Sequence, residues 1–198
     1  MEEIRIMEKP DWVSWDEIHD VLWAAHKRNR EAGMDMKYPS LPGDQLKELL
    51  KDGGQCFVAL EGRKVVATGS YRIFKRRRWY NPKREKMISL LLDGILPEYE
   101  GKGIYSKLYH YREEHLKSLG FNLIDMDTAE NNANIQKVFL KQGFRFVDFE
   151  SYQTPHYSIM MAKWLNGCPY SKWECWWRFH WRKLRTKAIW KPGQIRRF

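Results

Sequence analysis

The sequence predicts an α/β chain of the mixed α+β kind, with one mixed β-sheet flanked by helices and a basic amphipathic helix at the C-terminus. Three observations predict it. Strand-like and helix-like hydrophobic periodicities alternate from residue 3 to residue 164, the pattern of layered strands and helices. Met87–Leu96 is a nearly continuous apolar run, as expected of a central strand buried on both faces. A helical pattern and a further strand follow it directly, which makes a strand–helix–strand crossover.

Each element has its own signal. Residues 3–8 alternate and read as a first strand. Ser14 stands where a helix cap is wanted, and Ile18, Val21, Leu22 and Ala25 recur at helical spacing. A helix is therefore expected from Ser14 to about Glu31, with Gly33 beyond its end. His19 and His26 on this helix read as surface or packing histidines. A short helix is expected from about Asp44 to Lys51, closed by Gly53-Gly54. Cys56–Leu60 and Val65–Phe74 read as strands joined at Glu61-Gly62-Arg63. The basic loop Lys75-Arg76-Arg77-Arg78-Trp79-Tyr80 is open to two readings, a solvated loop or a hold on a phosphate or acidic acceptor.

Asp93 and Gly94 interrupt the apolar run at Met87–Leu96, and glycine there suggests a bulge or the close approach of another group. From Gly101 to Leu119 the pattern is helical, with Ile104, Leu108, Tyr111, His115 and Leu119 assigned to one face. Phe121–Met126 returns to strand, Asn132–Gln142 to helix, and Phe144–Gln153 and Tyr157–Trp164 to strands meeting near Thr154-Pro155.

Composition narrows the function classes. No run of 18 apolar residues exists, so no transmembrane helix is expected, and the N-terminus lacks the pattern of a secretory signal. Cys56, Cys168 and Cys175 share no metal-ligand spacing, so neither a metal nor a disulfide framework is expected. A cytoplasmic setting follows. The net charge is +10 at pH 7, and residues 165–198 hold nine Lys/Arg against Glu174 alone. The chain is accordingly read as a domain over 1–164 and a basic, tryptophan-rich extension over 165–198.

The stretch Ile95-Leu96-Pro97-Glu98-Tyr99-Glu100-Gly101-Lys102-Gly103-Ile104-Tyr105-Ser106 ends a strand and enters a helix through two glycines. Such a turn suits a diphosphate. Glycines let backbone approach the ligand, and the first helical N–H groups carry the positive end of the helix dipole. It is neither a P-loop nor a dinucleotide fingerprint, because neither spacing is present.

Taken with Asn131-Asn132 and Lys141-Gln142-Gly143-Phe144, this turn resembles the GNAT superfamily of N-acetyltransferases over about residues 3–164. The resemblance implies a splayed mixed sheet and acetyl-CoA as co-substrate. It also implies that the strand at 93–96 pairs with the pantetheine arm, that the turn at 100–106 grips the pyrophosphate, and that Asn132 contacts the cofactor. Ile95, Leu96, Glu100, Gly101, Lys102, Gly103, Ile104, Tyr105, Ser106, Asn132 and Phe139 are the cofactor-site residues it assigns. Two departures stand out. Glu100 and Tyr105 occupy positions that the family usually fills with Gln/Arg and a small residue, and Phe139 occupies that of a tyrosine able to protonate the CoA thiolate.

The implied chemistry is direct attack of a primary amine of a small molecule or amino sugar on the thioester, in a ternary complex. It needs a proton acceptor, a backbone N–H near Ile95 to meet the developing oxyanion, and close alignment of the reactants. Asp93 is the leading candidate base, since a carboxylate in an apolar strand is expected to have a raised pKa; Asp125 and Asp127 compete for the role. Tyr157 and Tyr105 are the candidate acids. A non-catalytic acyl-CoA-binding or membrane-docking module is the alternative.

In the extension, Ser171-Lys172-Trp173-Glu174 fits a capping box. Trp173, Trp176, Trp177, His180, Trp181, Leu184 and Ala188 then recur at helical spacing. Three readings stay open: this aromatic face packs on the domain or a second subunit, residues 171–188 adsorb to an anionic membrane, or they bind nucleic acid, the least favoured. The chain is expected to be a monomer or a homodimer.

Overall fold

The computed structural model describes residues 3–34, 38–73, 78–83, 85–151 and 156–189. Seven strands and six α-helices occur among them, in two compact units, residues 1–75 with 88–121 and residues 76–87 with 122–198.

In the first unit, β1 (Ile4–Glu8), β2 (Gln55–Glu61), β3 (Lys64–Ile73) and β4 (Met87–Ile95) pair in that order, each antiparallel to the next. Helix α1 (Trp15–Ala25) starts at a capping box: Ser14 Oγ accepts from the Glu17 amide at 3.1 Å, and the Glu17 carboxylate accepts from the Ser14 amide at 2.7 Å. The helix expected to reach Glu31 breaks at His26 and resumes as α2 (Lys27–Glu31). α3 (Gly43–Glu48) is shorter than expected, and a side chain on Gly43 would meet Asp16 Oδ1 at 2.5 Å, so glycine is what lets α3 approach α1. The core between these helices and the sheet includes Ile18, Leu22, Leu46, Val58, Leu91 and Leu92.

Helix α4 (Ile104–Ser118) buries Ile104, Leu108, Tyr109, Arg112, Glu113 and Leu116. The face read from the sequence is therefore rotated: Tyr111 and Leu119 are exposed, and an arginine sits inside.

The second unit is built on β5 (Leu123–Ala129), β7 (Tyr157–Trp164) and β6 (Arg145–Ser151), antiparallel in that order, with α5 (Ala133–Lys141) between β5 and β6. Arg78, Trp79 and Tyr80 belong to it. Arg78 pairs with Glu150 at 2.6 Å, the Trp79 indole N–H donates to the Val147 carbonyl at 3.0 Å, and Tyr80 is fully buried. The described end of the basic loop is thus packed rather than solvated; residues 74–77 lie outside the described set, as do 35–37 and 152–155 of the other loops.

Helix α6 (Lys172–Ile189) packs on β6 through Cys175, Phe179 and Thr186. Phe179 stacks on Phe146 at 5.1 Å and meets the edge of Phe149 at 6.1 Å. Arg182 is ion-paired with Asp148, and Lys183 and Lys187 both reach Glu130 at 2.8 Å. The tryptophan face therefore does not cover this unit; the opposite face does. All three cysteines are free thiols.

Candidate functional site

The turn after β4 is built as its residues dictate. Pro97–Tyr99 form one turn of 3-10 helix, then Gly101 and Gly103 take left-handed φ of +75° and +74°. A β-carbon at either glycine would meet nothing within 4 Å, so the glycines here serve conformation and leave an open backbone surface. Gly103 caps α4 without a side-chain hydrogen bond. Glu100, whose charge is adverse to a diphosphate, pairs with Arg28 of α2 at 3.5 Å. Lys102 lies over the Tyr99 ring at 4.8 Å.

Immediately before the turn, β4 is bulged. Thr68 pairs with Gly94 but Ser70 with Leu91, so Gly69 alone opposes Leu92 and Asp93. Leu92 has φ +55°, the only non-glycine residue with positive φ among the described ones. Leu91 and Leu92 consequently both face the α1 core, and Asp93 turns to the α4 side. Gly94 meets α1 closely: a β-carbon there would stand 3.1 Å from that of Ala25. Both alternatives for the interrupted strand are realised, the bulge one step earlier than the glycine.

Asp93 is not the isolated carboxylate that the apolar run suggested. Its oxygens accept from Arg112 Nη1 at 2.5 Å and Nη2 at 2.9 Å, and Tyr105 Oη donates to Oδ2 at 2.6 Å. Arg112 is 1% exposed and Asp93 18%. Arg112 Nη1 also donates to the Ser70 carbonyl at 3.0 Å. Gly69 makes room for the pair, since a β-carbon there would lie 2.7 Å from Arg112 Nη1 and 2.8 Å from Asp93 Oδ1. The paired carboxylate pushes the Arg112 pKa further up. Burial first, and then the Asp93 charge, raise the Tyr105 hydroxyl well above its ordinary range, and its proton is committed to Asp93. Tyr105 therefore points inward and does not crowd the turn.

His26 closes the arrangement from the other side. Its Nε2 donates to the Asp93 carbonyl at 2.9 Å, and its Nδ1 accepts from the Asn29 amide at 3.2 Å. This fixes the neutral tautomer, and burial lowers the His26 pKa.

Three sequence-assigned residues lie in the second unit. Asn132 caps α5, accepting from the Ile135 amide at 3.5 Å. Phe139 is a core residue, 2% exposed and edge-on to Phe144 at 4.9 Å. Tyr157 opens β7 with its ring against Phe149 at 5.1 Å and under Lys187 at 5.2 Å. Of the rival carboxylates, Asp125 is fully buried and accepts from Tyr80 Oη at 2.9 Å, while Asp127 is exposed and accepts from Ser158 at 3.2 Å. Arg112 and Gly69 are the site residues that sequence reasoning missed. The available signal was Asp93 itself, a carboxylate in an apolar strand that calls for a buried cationic partner; nothing local pointed to Arg112.

The model of the acetyltransferase (GNAT) family matches residues 15–144, and the chain belongs to that family. No curated protein is significantly similar to it in sequence. Among solved structures, it is similar to the ribosomal-protein-S18-alanine N-acetyltransferase of Escherichia coli, with TM-score 0.63, 12% identity, and 82% of this chain and 94% of that chain covered. It is also similar to a Bacillus subtilis acetyltransferase in complex with CoA, with TM-score 0.60, 18% identity, and coverage of 82% and 99%. A GNAT family acetyltransferase from Elizabethkingia anophelis with acetyl-CoA bound gives TM-score 0.60, 13% identity, and coverage of 83% and 100%. These likenesses establish the GNAT fold, the α/β class with its seven strands and six helices.

Proposed function

We propose that this acetyltransferase moves an acetyl group from acetyl-CoA to a primary amine of a small molecule or amino sugar. The observation that carries the proposal is the open Gly101–Gly103 turn at the start of α4, placed directly after a bulged strand. The turn suits a diphosphate: its glycines leave space, its helix start is positive, and its two acids, Glu98 and Glu100, are paired with Lys64 and Arg28. Two of the solved neighbours were crystallised with CoA or acetyl-CoA.

In this reading, backbone from Glu100 to Ser106 holds the diphosphate, and Ile95 and Leu96 align the pantetheine arm. For Asn132, which caps α5, and Phe139, which is buried, the cofactor roles rest on the family resemblance alone. Acetyl-CoA supplies the activated acetyl thioester. Asp93 is a positioning residue: with Arg112, Tyr105 and His26 it holds the backbone of Leu92–Gly94, and so sets the direction in which the Ile95 N–H presents itself. Both of its oxygens are engaged, so the amine proton leaves by another route. Tyr157 is the remaining candidate acid.

One observation favours a second reading, an acyl-CoA-binding module without turnover. Phe139 has no proton to give, and that of Tyr105 is held by Asp93. Thioester release from acetyl-CoA across a panel of primary amines, with CoA binding measured in parallel by calorimetry, separates the two. Amine-dependent release is expected. Tight CoA binding without release under any amine supports the module, and absence of CoA binding removes both.

A further inference from the structure

We propose that the outward face of α6 is a docking surface for an anionic lipid bilayer. The helix is amphipathic in an unusual sense, because it has apolar residues on two opposite faces. The inner face, Cys175, Phe179 and Thr186, is buried on β6. The outer face carries Trp173, Trp176, Trp177, Trp181 and Leu184, which are 68%, 50%, 52%, 57% and 68% exposed. At 3.6 residues per turn these five form one continuous stripe. A contiguous patch of large aromatic residues in water is what soluble surfaces avoid unless it meets a partner.

Charge selects the partner. Arg178 and Arg185 flank the stripe along one side, and Lys172, Lys183 and Lys187 along the other. Glu174 is the one acid on the helix. Arg182, Lys183 and Lys187 are turned to carboxylates of the second unit, and Arg178 is bridged to Glu174 at 2.9 Å. Among the described residues Lys172 and Arg185 have no ion-pair partner, and Lys191, Arg196 and Arg197 follow in the sequence. Tryptophan flanked by Lys172 on one side and Arg185 on the other fits a helix lying in a bilayer interface, with rings at the headgroup level and these two cations among anionic headgroups.

The other occupants fit less well. Two copies meeting face to face through this stripe would bring like-charged flanks together. A base-stacking platform needs open ring faces, whereas here the rings stack on each other, Trp173 on Trp176 at 5.0 Å and Trp177 beside Trp181 at an interplanar angle of 2°.

The test uses the full chain with vesicles of phosphatidylcholine alone and vesicles containing phosphatidylglycerol. Co-sedimentation with the anionic vesicles is expected, at least about tenfold stronger than with the neutral ones and weakened by about 0.5 M salt. Acyl-chain-brominated lipid is expected to quench tryptophan fluorescence. The triple variant W173Q, W177Q and W181Q, whose changes touch only exposed rings, is expected to lose at least about tenfold in binding with an unchanged circular dichroism spectrum. Lys172→Gln with Arg185→Gln is expected to lose the salt-sensitive part alone. If the triple variant unfolds, quenching of the unaltered protein decides. Absence of binding to anionic vesicles at low salt overturns the proposal. So does a dimer, detected by ultracentrifugation, that dissolves on removing the tryptophans while vesicles are ignored. Oligonucleotide binding without vesicle binding overturns it as well.

Discussion

At the scale of single residues, the centre of this molecule is an ion pair that neither partner explains alone. Arg112 occupies a core position of α4, where an isolated charge is very costly, and the bidentate Asp93 carboxylate is what makes it tolerable. Removing one partner leaves the other charge buried without compensation. Asp93→Asn and Arg112→Met are each expected to lower unfolding stability by roughly 3–5 kcal/mol. The double variant is expected to recover much of that, since two apolar or neutral groups replace the pair. Chemical denaturation of the three variants measures the coupling. Additive losses would show that the pair does not act as a unit. The same comparison bears on catalysis: a positioning role for Asp93 predicts that turnover follows the bulge geometry, so the double variant regains stability without regaining activity.

At the scale of elements, the bulge in β4 is held from both sides, and one of its restraints titrates. His26 sits at the break between α1 and α2 as a neutral imidazole with a lowered pKa, through burial first, with Arg30 adding to the effect and Asp93 opposing it. The unfolded chain binds a proton at the ordinary value of 6.5, the folded chain only at a lower pH. Stability from this group is therefore complete above about pH 6.5 and is lost as pH falls through the folded value. Protonated His26 would also turn an N–H toward the Asn29 amide that now donates to Nδ1. Denaturation midpoints between about pH 8 and pH 5 are expected to fall for the wild type, and to fall less for His26→Gln, which keeps a donor for the Asp93 carbonyl. Parallel profiles for the two proteins would exclude His26 as a source of the pH dependence.

Elements are also where the sequence was most and least readable. The α1 cap, the β2 and β3 strands and the glycine turn after β4 were legible because caps, alternation and glycines act locally. The bulge was only half legible: nothing in a run of leucines says which leucine takes positive φ. The α4 face was misplaced by one position, because the pattern assigned Tyr111, His115 and Leu119 to it, whereas Arg112 and Leu116 are the buried residues there. An arginine becomes a core residue only through a partner on another strand, which no local pattern contains.

At the scale of the whole molecule, the basic extension is read differently once its helix is placed. From the sequence, its nine Lys/Arg stand against Glu174 alone, and its tryptophan face is open to packing, to a membrane or to nucleic acid. In the structure, Arg182 meets the Asp148 carboxylate, which is 2% exposed and whose pKa burial raises, and Lys183 and Lys187 meet Glu130. Thr186 Oγ1 donates to the Phe149 carbonyl at 3.2 Å. Part of the basic excess thus answers acids of the second unit, and Phe179 completes the apolar cover of β6. Removing residues 165–198 would uncover Phe146 and Phe149 and leave two carboxylates without their cations. The truncated chain is expected to lose at least about 3 kcal/mol, the size of one buried phenylalanine deleted from a core, and to associate through the bared strand face. Phe179→Ala in the full chain is the matching point change, expected to cost roughly 3–5 kcal/mol while leaving all tryptophans in place. Denaturation midpoints of the two proteins measure both. A truncated chain as stable as the intact one would mean that α6 contributes no stability and serves only its outward face.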